Sequence, residues 1–165
     1  MSIQEAMHGR SAIVRSASTE RVGGAPVEFE LLVDSSGTGG ALSTVRVILA
    51  AGADGARPHH HTRSAEMFYV LDGSVQVLSG TSVIEADRGD LIVVPPLLAH
   101  AFAAAHGKSA ELLIVITPGV ERFEYFREVN RIRTGEKPPE TLQQLQDLYD
   151  NQFVRSPEWE TARRR

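Results

Sequence analysis

From about Val27 to Thr117 the chain is a series of short β-like runs: VEFELLV, ALSTVRVILA, AEMFYVL, SVQVLS, TSVIEA, DLIVVP, HAFAA and AELLIVIT. Turn-forming stretches separate them: SSGTGG, AGADGARP, DG, SG, DRGD, PPLL and HGKS. That spacing predicts an all-β sandwich or barrel. The Asp72-Gly73 pair predicts a two-residue hairpin, because the turns that match strand twist need positive φ. After Pro118-Gly119 the period changes. Val120, Phe123, Phe126 and Val129 recur every three residues and predict an amphipathic helix ending near Gly135. Leu142, Leu145, Leu148 and Tyr149 predict a second, with Pro138-Pro139 between the two. The expected layout is an arm or strand over 1–26, a β-barrel over 27–118 and a helical extension over 119–165 with a disordered basic tail. The apolar stripe of that extension reads as core. The alternative is that it covers one end of the barrel and supplies Phe123, Tyr125 or Phe126 to a pocket.

Composition narrows the chemistry. Hydrophobic residues make up 42% of the 165 positions and charged residues 23%, ordinary for a globular domain and too polar for a membrane span. MSIQEAMHGRSAIVRS carries an acidic residue and no apolar run of leader length, so a cytoplasmic protein is expected. There are no cysteines, which excludes disulfides, thiolate ligands and a cysteine nucleophile. The formal net charge of -4 argues against a nucleic-acid surface. Arg163, Arg164 and Arg165 read as a solvated tail.

Histidine and carboxylate remain for metal chemistry, and the stretch RPHHHTRSAEMFYVLDG concentrates both. In a strand His59 and His61 share a face while His60 points the other way. Their imidazoles can converge on one ion at about 2.0–2.2 Å. A turn over Thr62–Ala65 would bring Glu66 back beside the two rings, with Phe68 and Val70 on the same face. His100, after DLIVVPPLLA, can supply a third imidazole, and its parity carries Phe102 and Ala104 inward. Arg46 reads as an outward or dimer-facing side chain, Tyr69 as packing outside, His106 as solvated, and His8 as part of the arm.

These residues resemble a family. H-x-H-x4-E-x6-G, here His59, His61, Glu66 and Gly73, is similar to the first motif of the cupin superfamily. GDLIVVPPLLAHAFAA resembles the second through Gly89, Pro95 and His100. Leu97 stands where that motif has glycine and Ala104 where it has asparagine; Gly52 and Gly55 flank the place of the first motif's opening glycine. The resemblance implies a single cupin barrel, a jelly-roll-like double-stranded β-helix, similar to the flavonol (quercetinase-like) dioxygenases. It implies one divalent transition metal (iron, nickel, manganese, cobalt, copper or zinc) on His59, His61, Glu66 and His100, with one or two coordination positions open. Glu66 is then ligand and catalytic proton acceptor, and Phe68, Val70, Phe102 and Ala104 form the substrate pocket. The activity implied is that of an oxidoreductase, a dioxygenase on a small aromatic or enolic substrate; a metal-dependent isomerase, cyclase or lyase, and a small-molecule binder without catalysis, stand as alternatives. Cupin barrels pair through outer sheet faces, and ALSTVRVILA and AELLIVIT are apolar on both, so a homodimer is expected.

Overall fold

The computed structural model describes residues 10–164; His8 and Arg165 lie outside them. Ten strands follow in order: β1 (Glu20–Gly24), β2 (Val27–Val33), β3 (Ser43–Leu49), β4 (His59–His60), β5 (Ala65–Ser79), β6 (Ser82–Asp87), β7 (Leu91–Val94), β8 (His100–Ala104), β9 (Ala110–Thr117) and β10 (Gln152–Phe153). All pairings are antiparallel. One layer runs β1-β2-β3-β9-β5-β7 and the other β6-β5-β8-β4-β10, with β5 common to both. Strict alternation of buried and half-buried positions in β3 and β9 aims Val45, Val47, Leu49, Leu112, Ile114 and Ile116 between the layers. This is the barrel that the hydrophobic pattern predicts, and the short strand β1 covers one edge of it.

The Asp72-Gly73 pair is not a hairpin. It is a corner inside one 15-residue strand, β5. The first half of β5 pairs with β9 and β7, the second with β8 and β6, and the register against β9 slips between Val70 and Asp72. Gly73 has φ +71, and a Cβ there would lie 2.0 Å from the Ser109 carbonyl oxygen, so the corner needs glycine. The two-residue hairpin lies one turn later, at Gly80-Thr81, closed by the Ser79–Ser82 pair. The local signal for a positive-φ glycine is the same at both places; pairing partners distant in sequence decide between a turn and a corner.

The extension begins with α1 (Phe123–Arg133). Its first N–H groups are capped from afar: the Asp34 carboxylate accepts from Arg122 N at 2.8 Å and Phe123 N at 3.0 Å, which satisfies donors that a helix start otherwise leaves orphaned. The expected stripe is shifted: Tyr125 and Phe126 are the deeply buried pair, and Phe126 stacks on Phe29 of β2 at 4.8 Å. The second expected helix is broken into α2 (Thr141–Gln144) and α3 (Gln146–Tyr149), and Leu148 is exposed. Asp150, in the left-handed region with φ 49, ends it. A further helix, α4 (Pro157–Ala162), has Ser156 as N-cap and Pro157 in its first turn, and buries Trp159. That start signal is readable in SPEWE. No helix among the described residues is long and apolar enough to cross a membrane.

The solvated basic tail fails at Arg163. Its side chain is 9% exposed, and it donates to the Gly52 and Ala104 carbonyls, to Gln76 and to Asp54. Four acceptors from three segments tie the chain's end to the barrel. Arg46 points outward, as expected, and pairs with Glu30 and Glu111 across β2 and β9. Tyr69 is likewise on the outside.

Leu97, which replaces the motif's glycine, has φ +71 while its N–H donates to the His61 carbonyl at 2.7 Å. A left-handed non-glycine residue costs about 1–2 kcal/mol, and the leucine side chain recovers little because it is 67% exposed. After subtracting the unfolded-state entropy of glycine, Leu97→Gly is expected to stabilise the fold by about 0.5–1 kcal/mol; urea unfolding reads this directly, and a destabilised variant would contradict it.

Candidate metal centre

The four expected ligands meet. His59 on β4 and His100 at the start of β8 are cross-strand partners in one layer, with ring centroids 4.3 Å apart. Glu66, second residue of β5, reaches them from the opposite layer, and His61 follows β4 on the same face as His59. All four are at least 95% buried, and one ligand atom from each lies within 4.8 Å of the others. Oε2 of Glu66 is 2.6 Å from Nε2 of His100, 3.0 Å from Nε2 of His61 and 4.0 Å from Nε2 of His59. Donors about 2.1 Å from one ion lie roughly 3.0–4.2 Å apart, so the cluster already has nearly the span of a coordination shell.

The far side of each ring explains why. Nδ1 of His59 faces the Arg57 carbonyl at 2.6 Å, Nδ1 of His100 the Leu98 carbonyl at 2.9 Å, and Nδ1 of His61 the Asp150 carbonyl at 2.6 Å. A carbonyl only accepts, so each Nδ1 carries a proton; in the neutral ring Nε2 then turns a lone pair toward Glu66, and only in the protonated ring does it donate to that carboxylate. Three lone pairs aimed at a carboxylate oxygen repel unless a cation or a shared proton lies between them. The donor set therefore fits a divalent transition-metal ion. Burial, with the neighbouring His100 and His61, pushes the His59 imidazole well below its usual range. Burial alone would raise the Glu66 carboxyl, yet hydrogen bonds from His100 and His61 hold it well below the carboxylate range. His100 moves the other way: burial lowers it, but the Glu66 hydrogen bond and charge raise it overall. His60, half-buried beside Gln152, and His106, exposed and bonded to the Ala162 carbonyl, are not ligands.

A cleft of about 590 Å³, counting its mouth, opens beside this centre. His59 and Glu66 line it; its other walls include Phe102 from β8, Phe29 from β2, Ile114 from β9, and Tyr125, Phe126, Leu142 and Phe153 from the extension. Of the expected pocket residues only Phe102 is there. Phe68 packs behind the centre, its ring 6.2 Å from His100 and 5.4 Å from Phe102, and Val70 and Ala104 are sealed in the core. Parity chose the inward face correctly, but depth along the barrel decides which inward residues reach the opening. Gly55 also lines the cleft, and a Cβ there would lie 2.3 Å from the Phe102 ring, so the close approach needs glycine.

Among comparisons with known proteins, the Cupin domain family model matches residues 45–116, which hold all four ligands. This barrel has the cupin fold. No curated protein matches the chain by sequence. Solved structures share the fold at low identity. A Streptomyces PAC13 variant with uridine, from a protein described as a nucleoside dehydratase, is 19% identical over 92% of this chain and 97% of that one, TM-score 0.57. A predicted oxalate decarboxylase from Thermotoga maritima is 21% identical over 64% and 97%, TM-score 0.56. An HppE with iron(II) is 22% identical over 66% and 61%, TM-score 0.55.

Two features of the cupin centre come from outside the matched segment. Besides anchoring His61 through its carbonyl, Asp150 uses its carboxylate to accept from Thr62 N at 2.9 Å, Thr62 Oγ1 at 2.6 Å and Arg63 N at 3.0 Å. It thus clamps the turn that separates His61 from Glu66. Burial raises the Asp150 carboxyl, and the Thr62 hydroxyl and the two N–H donors more than offset this and lower it. An Asp-Asn pair after an amphipathic run is a readable helix stop, but nothing local says which loop it will grip. Asp150→Asn keeps the left-handed backbone and removes the charge. It is expected to cost about 1–2 kcal/mol and to weaken metal binding about tenfold or more, read by urea unfolding and by competition with a chelator; unchanged affinity would show that the clamp does not position His61.

Proposed function

We propose that the protein is a metal-dependent enzyme acting on a small organic molecule held in the cleft. The observation that carries this reading is the convergence of three Nε2 atoms and one carboxylate oxygen, each fixed by its own surroundings, at the side of an apolar cleft. Only two of the ligands, His59 and Glu66, line that cleft, so a substrate approaches the centre from their side. When bound, the ion supplies Lewis acidity and, for iron, manganese, nickel, cobalt or copper, access to redox chemistry with dioxygen. The chain does the rest. Phe102, Phe126 and Phe153 exclude water and give a flat substrate its walls. Glu66, held ionised by His61 and His100, is the group placed to take a proton from an acidic hydroxyl or carbon. Tyr125, whose phenol is pushed up by burial, closes the cleft from the helical side.

Oxygenase action on a phenol or enol is the first reading, supported by the apolar walls and the resemblance to dioxygenases of this fold. A non-redox lyase or isomerase is the second, favoured by the similarity in fold to proteins described as a dehydratase and a decarboxylase. Elemental analysis of the untagged protein is expected to find close to one transition metal per chain, and none in the His59→Ala, His100→Ala variant. Metal-loaded protein given a panel of phenols and enols is then expected to take up dioxygen in step with substrate loss; unchanged turnover without dioxygen would select the second reading.

We further propose that the active unit is a homodimer. Met67, Tyr69, Leu91, Val93, Leu113 and Val115 lie side by side on the outer face of β5, β7 and β9, and Leu91 and Val93 are 56% and 61% exposed. A contiguous apolar face of this kind is the usual mark of a covered surface. Light scattering is expected to give twice the chain mass, and Val93→Glu to give the single mass; a monomeric wild type would refute the pairing.

A further inference from the structure

We infer that Arg122 and Asn151 form a subsite for the carboxylate of a small aromatic or unsaturated acid. The inference deepens the reading above, since it takes the cleft to be where substrate binds.

Arg122, the residue before α1, is only 6% exposed. Its backbone N–H is capped by Asp34, but its guanidinium has no ion-pair partner among the described residues, and Nε and Nη1 have no hydrogen-bond acceptor. Asn151 is 1% exposed, and both its side-chain Nδ2 and Oδ1 are unpartnered. Such groups are rare because desolvation without compensation is costly, most of all for a charge. Here they share one place: both side chains line the cleft beside the metal centre, together with His59 and Glu66.

The guanidinium is held rather than loose. It lies over the Tyr125 ring at 4.9 Å and the Phe126 ring at 5.5 Å. Those contacts offset part of its burial, but they give its N–H groups nothing to donate to. Glu66 does not supply the acceptor: its Oε2 is engaged by His61 and His100, and neither of its oxygens bonds Nε or Nη1 of Arg122. Arg57, at the exposed mouth over the Phe153 ring at 4.3 Å, adds a second positive charge on the way in. A single fixed cation and an amide lining the same cleft match one carboxylate, with two oxygens to share among guanidinium and amide donors. They match a phosphate poorly, because a charge near -2 and three oxygens would find too few donors among phenylalanine, tyrosine and leucine walls. Those walls specify the remainder of the molecule as flat and apolar. An acid anchored by its carboxylate on Arg122 then presents its other end to His59 and Glu66.

The test is calorimetric titration of benzoate and cinnamate into the full chain, chelator-treated and metal-loaded, alongside Arg122→Met, Arg122→Lys and Asn151→Ala. Benzoate is expected to bind the metal-free wild type, and benzamide or phenyl phosphate at least tenfold more weakly. Arg122→Met is expected to lose at least tenfold in benzoate affinity, Arg122→Lys to recover part of it, and Asn151→Ala to lose severalfold. Without ligand, Arg122→Met is expected to unfold at the same temperature as wild type or higher, since it removes an uncompensated charge. Should it fail to fold, the guanidinium is structural and the proposal falls unless Arg122→Lys and Asn151→Ala, both folded, still weaken benzoate. Binding that requires metal and ignores Arg122 would place the carboxylate on the ion and overturn the subsite while leaving the metal reading intact. Arg122-dependent binding by a protein that takes up no metal on reconstitution would do the reverse.

Discussion

A carboxylate buried among three imidazoles carries a desolvation cost that nothing apolar around it can offset. Glu66 sits in that position, with His100, His61 and His59 at 2.6, 3.0 and 4.0 Å from one of its oxygens. The arrangement persists because every ring is held from behind. Arg57 and Leu98, each two residues before the histidine it serves, provide carbonyls to His59 and His100 from within the same strand approach. His61 has no such local partner, and its carbonyl comes from Asp150, 89 residues on. Two thirds of the orientation of the centre is therefore barrel geometry and one third is supplied by the extension.

That division makes the C-terminal extension part of the site. One short stretch performs several tasks in succession: Tyr149 packs on Tyr125, Asp150 clamps Thr62 and Arg63 and fixes His61, Asn151 enters the cleft, and Gln152–Phe153 pairs with β4 beside His59. Beyond it, Trp159 and Arg163 lock the chain back onto β8 and the Gly52 loop. A barrel that ended at Thr117 would keep the four ligands in sequence but would leave His61 unanchored and the cleft without its helical wall.

The electrostatics of the cleft follow from the same packing. Its walls are aromatic and aliphatic, so the few charges inside act at low dielectric. Glu66 is committed to the histidines, whereas Arg122 lies over two rings with no anionic partner among the described residues.

How far each feature was legible depends on the range over which its cause acts. Strand parity is a property of neighbouring residues, so the shared face of His59 and His61, the inward direction of Phe68 and Phe102, and the outward direction of Tyr69 could be read directly. So could the ligand set, because its spacing resembles a known motif, and the all-β barrel with a helical extension. The corner at Gly73 read as a hairpin because φ > 0 is demanded by both, and only the partners of each half of β5 tell them apart. Ala104 and Val70 read as pocket because parity says inward without saying how deep. Asp150 and Asn151 are readable only as a helix stop, and nothing local marks Arg122, Asp150 or Asn151 as part of the site: a charged or amide side chain beside a helix end reads as solvated until the packing of α1 and the 149–153 stretch closes over it. Sequence alone thus determined the fold class and the atoms that face one another across a strand. The tertiary structure decided what anchors those atoms and what walls surround them, because hydrogen-bond partners 89 residues apart and the depth of a side chain in a barrel are set by how distant segments dock.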